Sequence, residues 1–218
     1  MANPSLKHSI ELYSTESPEE LIRFLNGLSK PSLISLYIDL LTMYFNDKNS
    51  SRLRELTTLW ICGFQPNTEK LGYNGYRMDV DTGKRIDCEV KPQNTDSPKK
   101  KLTGRGSFND YTLERFNKDL ENNPTILVSG FVGGKLIYVF EFKFECLIKK
   151  LKSQLDRKFQ DGQRKKGDFV RSASFSFTDY KDCPSLRIAY LRNDWHNFKN
   201  YLSRDIIKYF KELKKWTN

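Results

Sequence analysis

The runs TILVSGFV and KLIYVFEFKF stand on either side of Gly133-Gly134, and they constrain the fold more than any other part of the chain. Both are apolar almost without interruption, which is the pattern of central strands rather than of strands with one wet face. Two glycines accept the positive φ that a two-residue hairpin turn demands. The pair therefore reads as a central hairpin, and the rest of the chain has to cover it.

The covering elements follow from periodicity. Ser17 is a helix cap signal, with Pro18 at the first helical position, Glu19 and Glu20 in the first turn, and Leu21, Phe24, Leu25 and Leu28 at helical spacing. PSLISLYIDLLTMYFND is apolar nearly all round, as a buried or interface helix would be, and SSRLRELTTLWICGF passes from a helix into a short strand. Helical patterns return in DYTLERFNKDLENN, ECLIKKLKSQLDRKF and FKNYLSRDIIKYFKELKKW, while SLRIAYL and the end of QDGQRKKGDFVRSASFSF read as strands. Along RSASFSF, alternating Phe175 and Phe177 are core positions, as is Tyr180 beyond them. TDSPKKKLTGRGSFND has no period and reads as a mobile loop.

The order of elements predicts an α/β protein, with a mixed central β-sheet flanked by helices and a helical N-terminal region. We read one domain: a helical part over 1–50, a core over 51–144, and a remainder over 145–218. Hydrophobic residues at 38% suffice for a packed core despite 29% charged residues.

The formal net charge is +10, from 37 Lys and Arg against 27 Asp and Glu, which favours a polyanionic partner. Four cysteines (Cys62, Cys88, Cys146 and Cys183) lack metal-site spacing and read as buried free thiols. The N-terminus has no basic-then-apolar leader pattern, and no apolar run approaches a membrane span, so the expectation is a cytoplasmic protein with no membrane partner. His8 and His196 are too few for histidine-based hydrolysis, and no glycine motif for a nucleotide cofactor is present.

RMDVDTGKRIDCEVKPQN, Arg77 to Asn94, reads as a second hairpin about Thr82-Gly83-Lys84. Ile86, Cys88 and Val90 point one way; Asp87, Glu89 and Lys91 point the other. With Gly83 in a left-handed bulge position, odd-numbered residues of both strands share a face and Asp79 joins Glu89 and Lys91. A symmetric hairpin instead sets Glu89 opposite Gly75, so an irregular turn is required to bring these carboxylates together. Two carboxylates on neighbouring strands suit Mg²⁺, and a lysine beside them suits activation of an attacking water at a phosphodiester. The plainer alternative is a solvated hairpin face on which Lys91 pairs with Asp79 or Glu89.

An acid at Asp79 followed by Glu89-Val90-Lys91 resembles the signature of the PD-(D/E)XK nuclease superfamily, to which many type II restriction endonucleases belong. The resemblance covers roughly the middle of the chain and lacks the proline before the first acid. It implies a core ordered helix, three strands, helix, strand. It implies metal ligation by Asp79 and Glu89, with Asp81 competing for the first position, and catalytic work by Lys91. Glu55, on the helix before the sheet, matches a further acid of that superfamily. The implied activity is Mg²⁺-dependent, sequence-specific cleavage of double-stranded DNA by a homodimer. Structure-specific or repair cleavage within the superfamily, and nucleic-acid binding without catalysis, are the alternatives.

Basic clusters supply the expected DNA contacts. Lys99, Lys100, Lys101 and Arg105 follow the motif directly, and Arg164, Lys165 and Lys166 sit in a second, glycine-bounded segment. Arg171, Ser172 and Ser174 come next at strand spacing, where side chains reach base edges.

Overall fold

The computed structural model of the protein describes residues 3–46, 51–68, 72–159 and 168–213. Among them the helices are α1 (Pro4–Thr15), α2 (Pro18–Asn26), α3 (Lys30–Asn46), α4 (Arg52–Ile61), α5 (Leu113–Asn122), α6 (Ile148–Lys158), α7 (Phe177–Tyr180) and α8 (Arg204–Leu213). The strands are β1 (Gln65–Pro66), β2 (Gly75–Met78), β3 (Arg85–Thr95), β4 (Gly106–Tyr111), β5 (Thr125–Val132), β6 (Lys135–Lys143), β7 (Val170–Phe175) and β8 (Arg187–Leu191).

Six strands form a mixed sheet in the order β1-β2-β3-β5-β6-β8, and β4 and β7 form a separate two-stranded ribbon. Only β3 and β5 run parallel; the other neighbours in the sheet are antiparallel. The α/β class and the flanking helices are as the sequence predicts. So is the central hairpin: every residue of β5 is buried, and Gly133 and Gly134 turn at φ 54° and 79°. Leu127, Val139, Cys88 and Val90 face α4, packing on Leu56, Leu59 and Trp60. Val128, Phe140 and Phe142 face the opposite layer, which the ribbon and helices α5 to α8 build. There Phe175, Phe177 and Tyr180 are buried as expected, and Tyr180 stacks on Phe142 at 4.2 Å between centroids. Each such fully buried aromatic contributes on the order of 2 kcal/mol.

Helix α1 is absent from the sequence reading. Its buried positions include Ser9 and Ser14, whose hydroxyls donate to Ser5 and Ile10 carbonyls of the same helix, so no apolar stripe betrays the face. Helix α3 keeps Ile34, Tyr37 and Ile38 exposed. The segment after β3 is anchored rather than loose. Leu102 is fully buried, its N–H donates to the Tyr201 carbonyl at 2.7 Å, and its own carbonyl accepts from Ser203 at 2.9 Å.

The expectation of free thiols throughout is corrected. Cys146 and Cys183 form a disulfide, because the turn after α7 returns beside the chain end of β6 with the two Cα atoms 5.7 Å apart. Cys62 and Cys88 remain free, and burial pushes the Cys62 thiol up to about 12 and Cys88 further still. Native protein should therefore resist alkylation. Unfolded without reductant, it should take up label at Cys62 and Cys88 alone, which mass spectrometry reads directly.

Candidate active site

Strand β3 changes neighbours along its length. Residues 85–88 pair with β2, whereas 88–95 pair with β5, so from Glu89 onward the edge toward β2 carries no strand. The ladder is closed by Asn74, whose Oδ1 accepts the Val90 N–H at 2.8 Å. A cleft of about 410 Å³ opens at this edge, lined by Glu55, Val90 to Gln93, Arg105, Gly106 and Ser107. Its two walls come from α4 and from the start of the ribbon.

The alternation of β3 sends Glu89, Lys91 and Gln93 to the face opposite α4. Lys91 Nζ lies 2.8 Å from Glu89 Oε1, and the two side chains retain only 17% and 12% of their exposure, so neither is a freely solvated surface charge. Lys91 Nζ also sits 4.5 Å from the centroid of the Phe108 ring. Gly106 makes room for this lysine: a Cβ there would come within 2.9 Å of the Lys91 stem and 2.5 Å of Phe175. Gln93 is held at both ends, accepting from Thr103 N at 3.0 Å and donating to Thr103 Oγ1 at 3.3 Å.

Behind Glu89 lies a network that the sequence reading missed. Arg115, four residues before Asp119 on α5, places Nη2 3.5 Å from Glu89 Oε2 and Nε 2.8 Å from Asp119 Oδ1. Tyr73 and Tyr111 donate to the two oxygens of Asp119 at 2.9 Å each. Burial raises the Asp119 carboxyl above the usual carboxylate range against the pull of Arg115 and the tyrosines. Burial opposes the charge on Arg115, yet Asp119 and Glu89 together raise its pKa. An Arg and Asp at helical spacing on α5 were visible in sequence as an ordinary surface pair. Their burial was not.

The structure does not bring Asp79 to Glu89. The partners Tyr76 with Asp87 and Arg77 with Ile86 put even-numbered residues of β2 with odd-numbered ones of β3, and Asn74 rather than Asp79 neighbours Glu89. Gly83 does take the expected positive φ, at 64°. Yet the turn spans the chain from Asp79 to Lys84, with Asp79 N–H bonded to the Lys84 carbonyl, and this inverts the expected parity. Asp79 instead accepts from Thr82 N and Oγ1 at 2.8 and 2.7 Å, and these bonds lower its pKa. Asp81 is exposed in the same turn. Substituting Asp79 with Ala should loosen the turn and leave any cleavage activity intact, measured on DNA beside a melting curve.

The expected DNA contacts divide. Arg105 is exposed and lines the cleft, and Lys99, Lys100 and Lys101 are exposed beyond it, with Lys101 bonded to the Asn200 carbonyl. Arg164, Lys165 and Lys166 lie outside the described residues. On the ribbon, Phe108, Ala173 and Phe175 turn inward, while Ser107 pairs with Ser174 and Asn109 with Ser172 on the outer face. Ser174 is half-buried, with its backbone tied to Gln154, whereas Ser172 and Arg171 are exposed. Ser107 and Asn109 were hidden in what read as a loop.

The donor set is sparse for a hard cation: Glu89 Oε2 is buried, makes no hydrogen bond and faces Arg115 Nη2 at 3.5 Å. Among the described residues, no group of three or more His, Cys, Asp or Glu side chains is placed to hold a metal. No helix among them is long and apolar enough to cross a membrane. Comparison by sequence finds no protein family whose profile matches the chain and no curated protein that matches it.

Proposed function

We propose that the protein is a Mg²⁺-dependent endonuclease acting on double-stranded DNA, of the type II restriction class and working as a homodimer. The observation that carries this reading is Lys91, largely desolvated and paired with Glu89 behind it, lining a strand-edge cleft walled also by Glu55 and Arg105. Glu55 is the carboxylate that lines the cleft, and Glu89 would join it in holding Mg²⁺ only by turning away from Arg115. When bound, Mg²⁺ lowers the pKa of a coordinated water and offsets phosphate charge.

The chain's own groups do the rest. Arg105 binds the phosphate at the mouth of the cleft, where a bidentate guanidinium fits two phosphate oxygens. The Lys91 ammonium, fixed by Glu89 and the Phe108 ring, orients the attacking water and balances charge on the phosphate. The outer face of the ribbon, with Ser107, Asn109 and Ser172, and exposed Arg171 next to it in β7, has the polar composition of a base-reading element, and a two-stranded ribbon fits the major groove.

Incubation with long DNA in Mg²⁺ and in EDTA, resolved on a gel, tests the reading. Discrete fragments in Mg²⁺ alone are expected, a smear points to structure-directed or nonspecific cleavage, and intact DNA across several substrates overturns it. Arg105→Ala should weaken duplex binding and reduce the salt slope by about 0.9, the loss of one phosphate contact.

One observation favours nucleic-acid binding without catalysis. Both oxygens of Glu89 already face cations, Lys91 on one side and Arg115 on the other, and Asp79 is remote. On that reading binding persists and no cleavage occurs with any divalent ion.

A further inference from the structure

Helix α8 carries a stripe of cations on its outer side. Arg204, Lys208 and Lys211 are spaced i, i+4 and i+7, which sets them within about 60° of one another around the axis, and all three are exposed. Ile206 and Phe210, on the opposite side, are fully buried in the core. Asp205 and Glu212 fall to one flank of the stripe. Lys208 reaches Glu212 at 3.9 Å with both side chains well exposed, a pair that offsets little of the charge. A groove of about 410 Å³ runs along this side, lined by Arg204, Ile207, Lys208, Lys211 and Glu212.

The stripe is tied to the segment that leads into the cleft. Leu102 pairs with Leu202, two residues before α8, through backbone bonds with Tyr201 and Ser203. Lys101 donates to the Asn200 carbonyl, and a Cβ on Gly104 would meet Ile206 Cδ1 at 3.6 Å, so Arg105 directly follows a residue packed beside α8. Residues 99–105 hold four cations and no acid, and residues 199–212 hold four cations against two acids. Two basic segments distant in the chain are joined by one backbone bridge, and a row of like charges suits an extended polyanion better than a single small anion.

We infer that the α8 stripe is a phosphate-backbone surface that, with Lys99 to Lys101, continues the contact Arg105 begins and holds duplex DNA alongside the cleft. The inference rests on the DNA reading of the protein and needs no metal. Arg204 and Lys211 are about 10 Å apart along the helix, and phosphates of one strand recur about every 3.4 Å along a duplex axis, so the stripe spans about three phosphates. Contacts of this kind add affinity and no sequence preference.

The test is fluorescence anisotropy of a labelled duplex several helical turns long, titrated with the full chain in EDTA over a series of salt concentrations. Arg204→Gln, Lys208→Gln and Lys211→Gln combined should weaken binding on the order of tenfold at low salt and reduce the salt slope by about 2.7, the loss of three phosphate contacts. Lys208→Arg with Lys211→Arg should keep affinity and slope, because the charges are kept. Melting curves establish that each variant is folded. Should the triple variant not fold, each single substitution decides, with an expected loss of about 0.9 in slope. A neutralised stripe with unchanged slope, beside an Arg105→Ala variant that lowers it, overturns the inference and leaves the DNA reading standing. Affinity lost equally in the charge-keeping variants also overturns it, since packing is then the cause. Unchanged duplex binding with reduced binding to phosphatidylserine vesicles assigns the stripe to a membrane surface instead. Wild-type protein that binds no duplex overturns both the inference and the DNA reading.

Discussion

Lys91→Ala and Glu89→Ala should each lower DNA cleavage by about a thousandfold while leaving duplex binding nearly intact. The separation of effects follows from position. Both side chains are largely desolvated, with 17% and 12% of their exposure, whereas the exposed cations proposed to contact DNA are Arg105 and Lys99 to Lys101. Removing Lys91 also frees Oε1 of Glu89, so the two charges cease to balance and the effect on chemistry exceeds the loss of one hydrogen bond. The measurement is a single-turnover cleavage rate beside a binding isotherm in EDTA. Cleavage retained in both variants would remove the catalytic assignment.

Asp119→Ala should cost the largest stability of any single polar substitution in the site, about 3 kcal/mol, which lowers the melting temperature by on the order of 10 °C. The substitution removes the acceptor of two tyrosine hydroxyls and of Arg115 at once. Tyr73 and Tyr111 are left with buried, unmatched donors, and Arg115 keeps its charge in the same surroundings. The figure stays at the lower end for a broken buried pair, because the Arg115 side chain retains 29% of its exposure and water can reach it. Asp119→Asn preserves an acceptor and should cost much less. Thermal unfolding of the two variants in EDTA compares them directly.

The register of the β2–β3 hairpin shows where one-dimensional reading ends. Alternation along β3 is a local property of the backbone, so the shared face of Glu89, Lys91 and Gln93 was legible from residue types alone. Which residues of β2 meet them depends on turn length, and a change of one residue moves every side chain to the other face. Thr82 bonding to Asp79 settles that length here and leaves Asn74 beside Glu89. Glu55 was singled out by the resemblance, on a helix that the sequence pattern predicts, and the packing of α4 on β3 brings it to the cleft.

By itself the sequence determined the elements whose cause is local: the central hairpin at Gly133-Gly134, the helices with capping and periodic signals, the charge of +10, and the Glu89-Lys91 face. Only tertiary structure decided what depends on residues distant in the chain. Asp119 becomes buried because Tyr73, forty-six residues away, reaches it, and Cys146 meets Cys183 across a separation of 37. Ser107 and Asn109 become a polar ribbon face because β7 returns to pair with β4. Such contacts carry no periodic trace, since each is fixed by how two separate layers cover the same sheet.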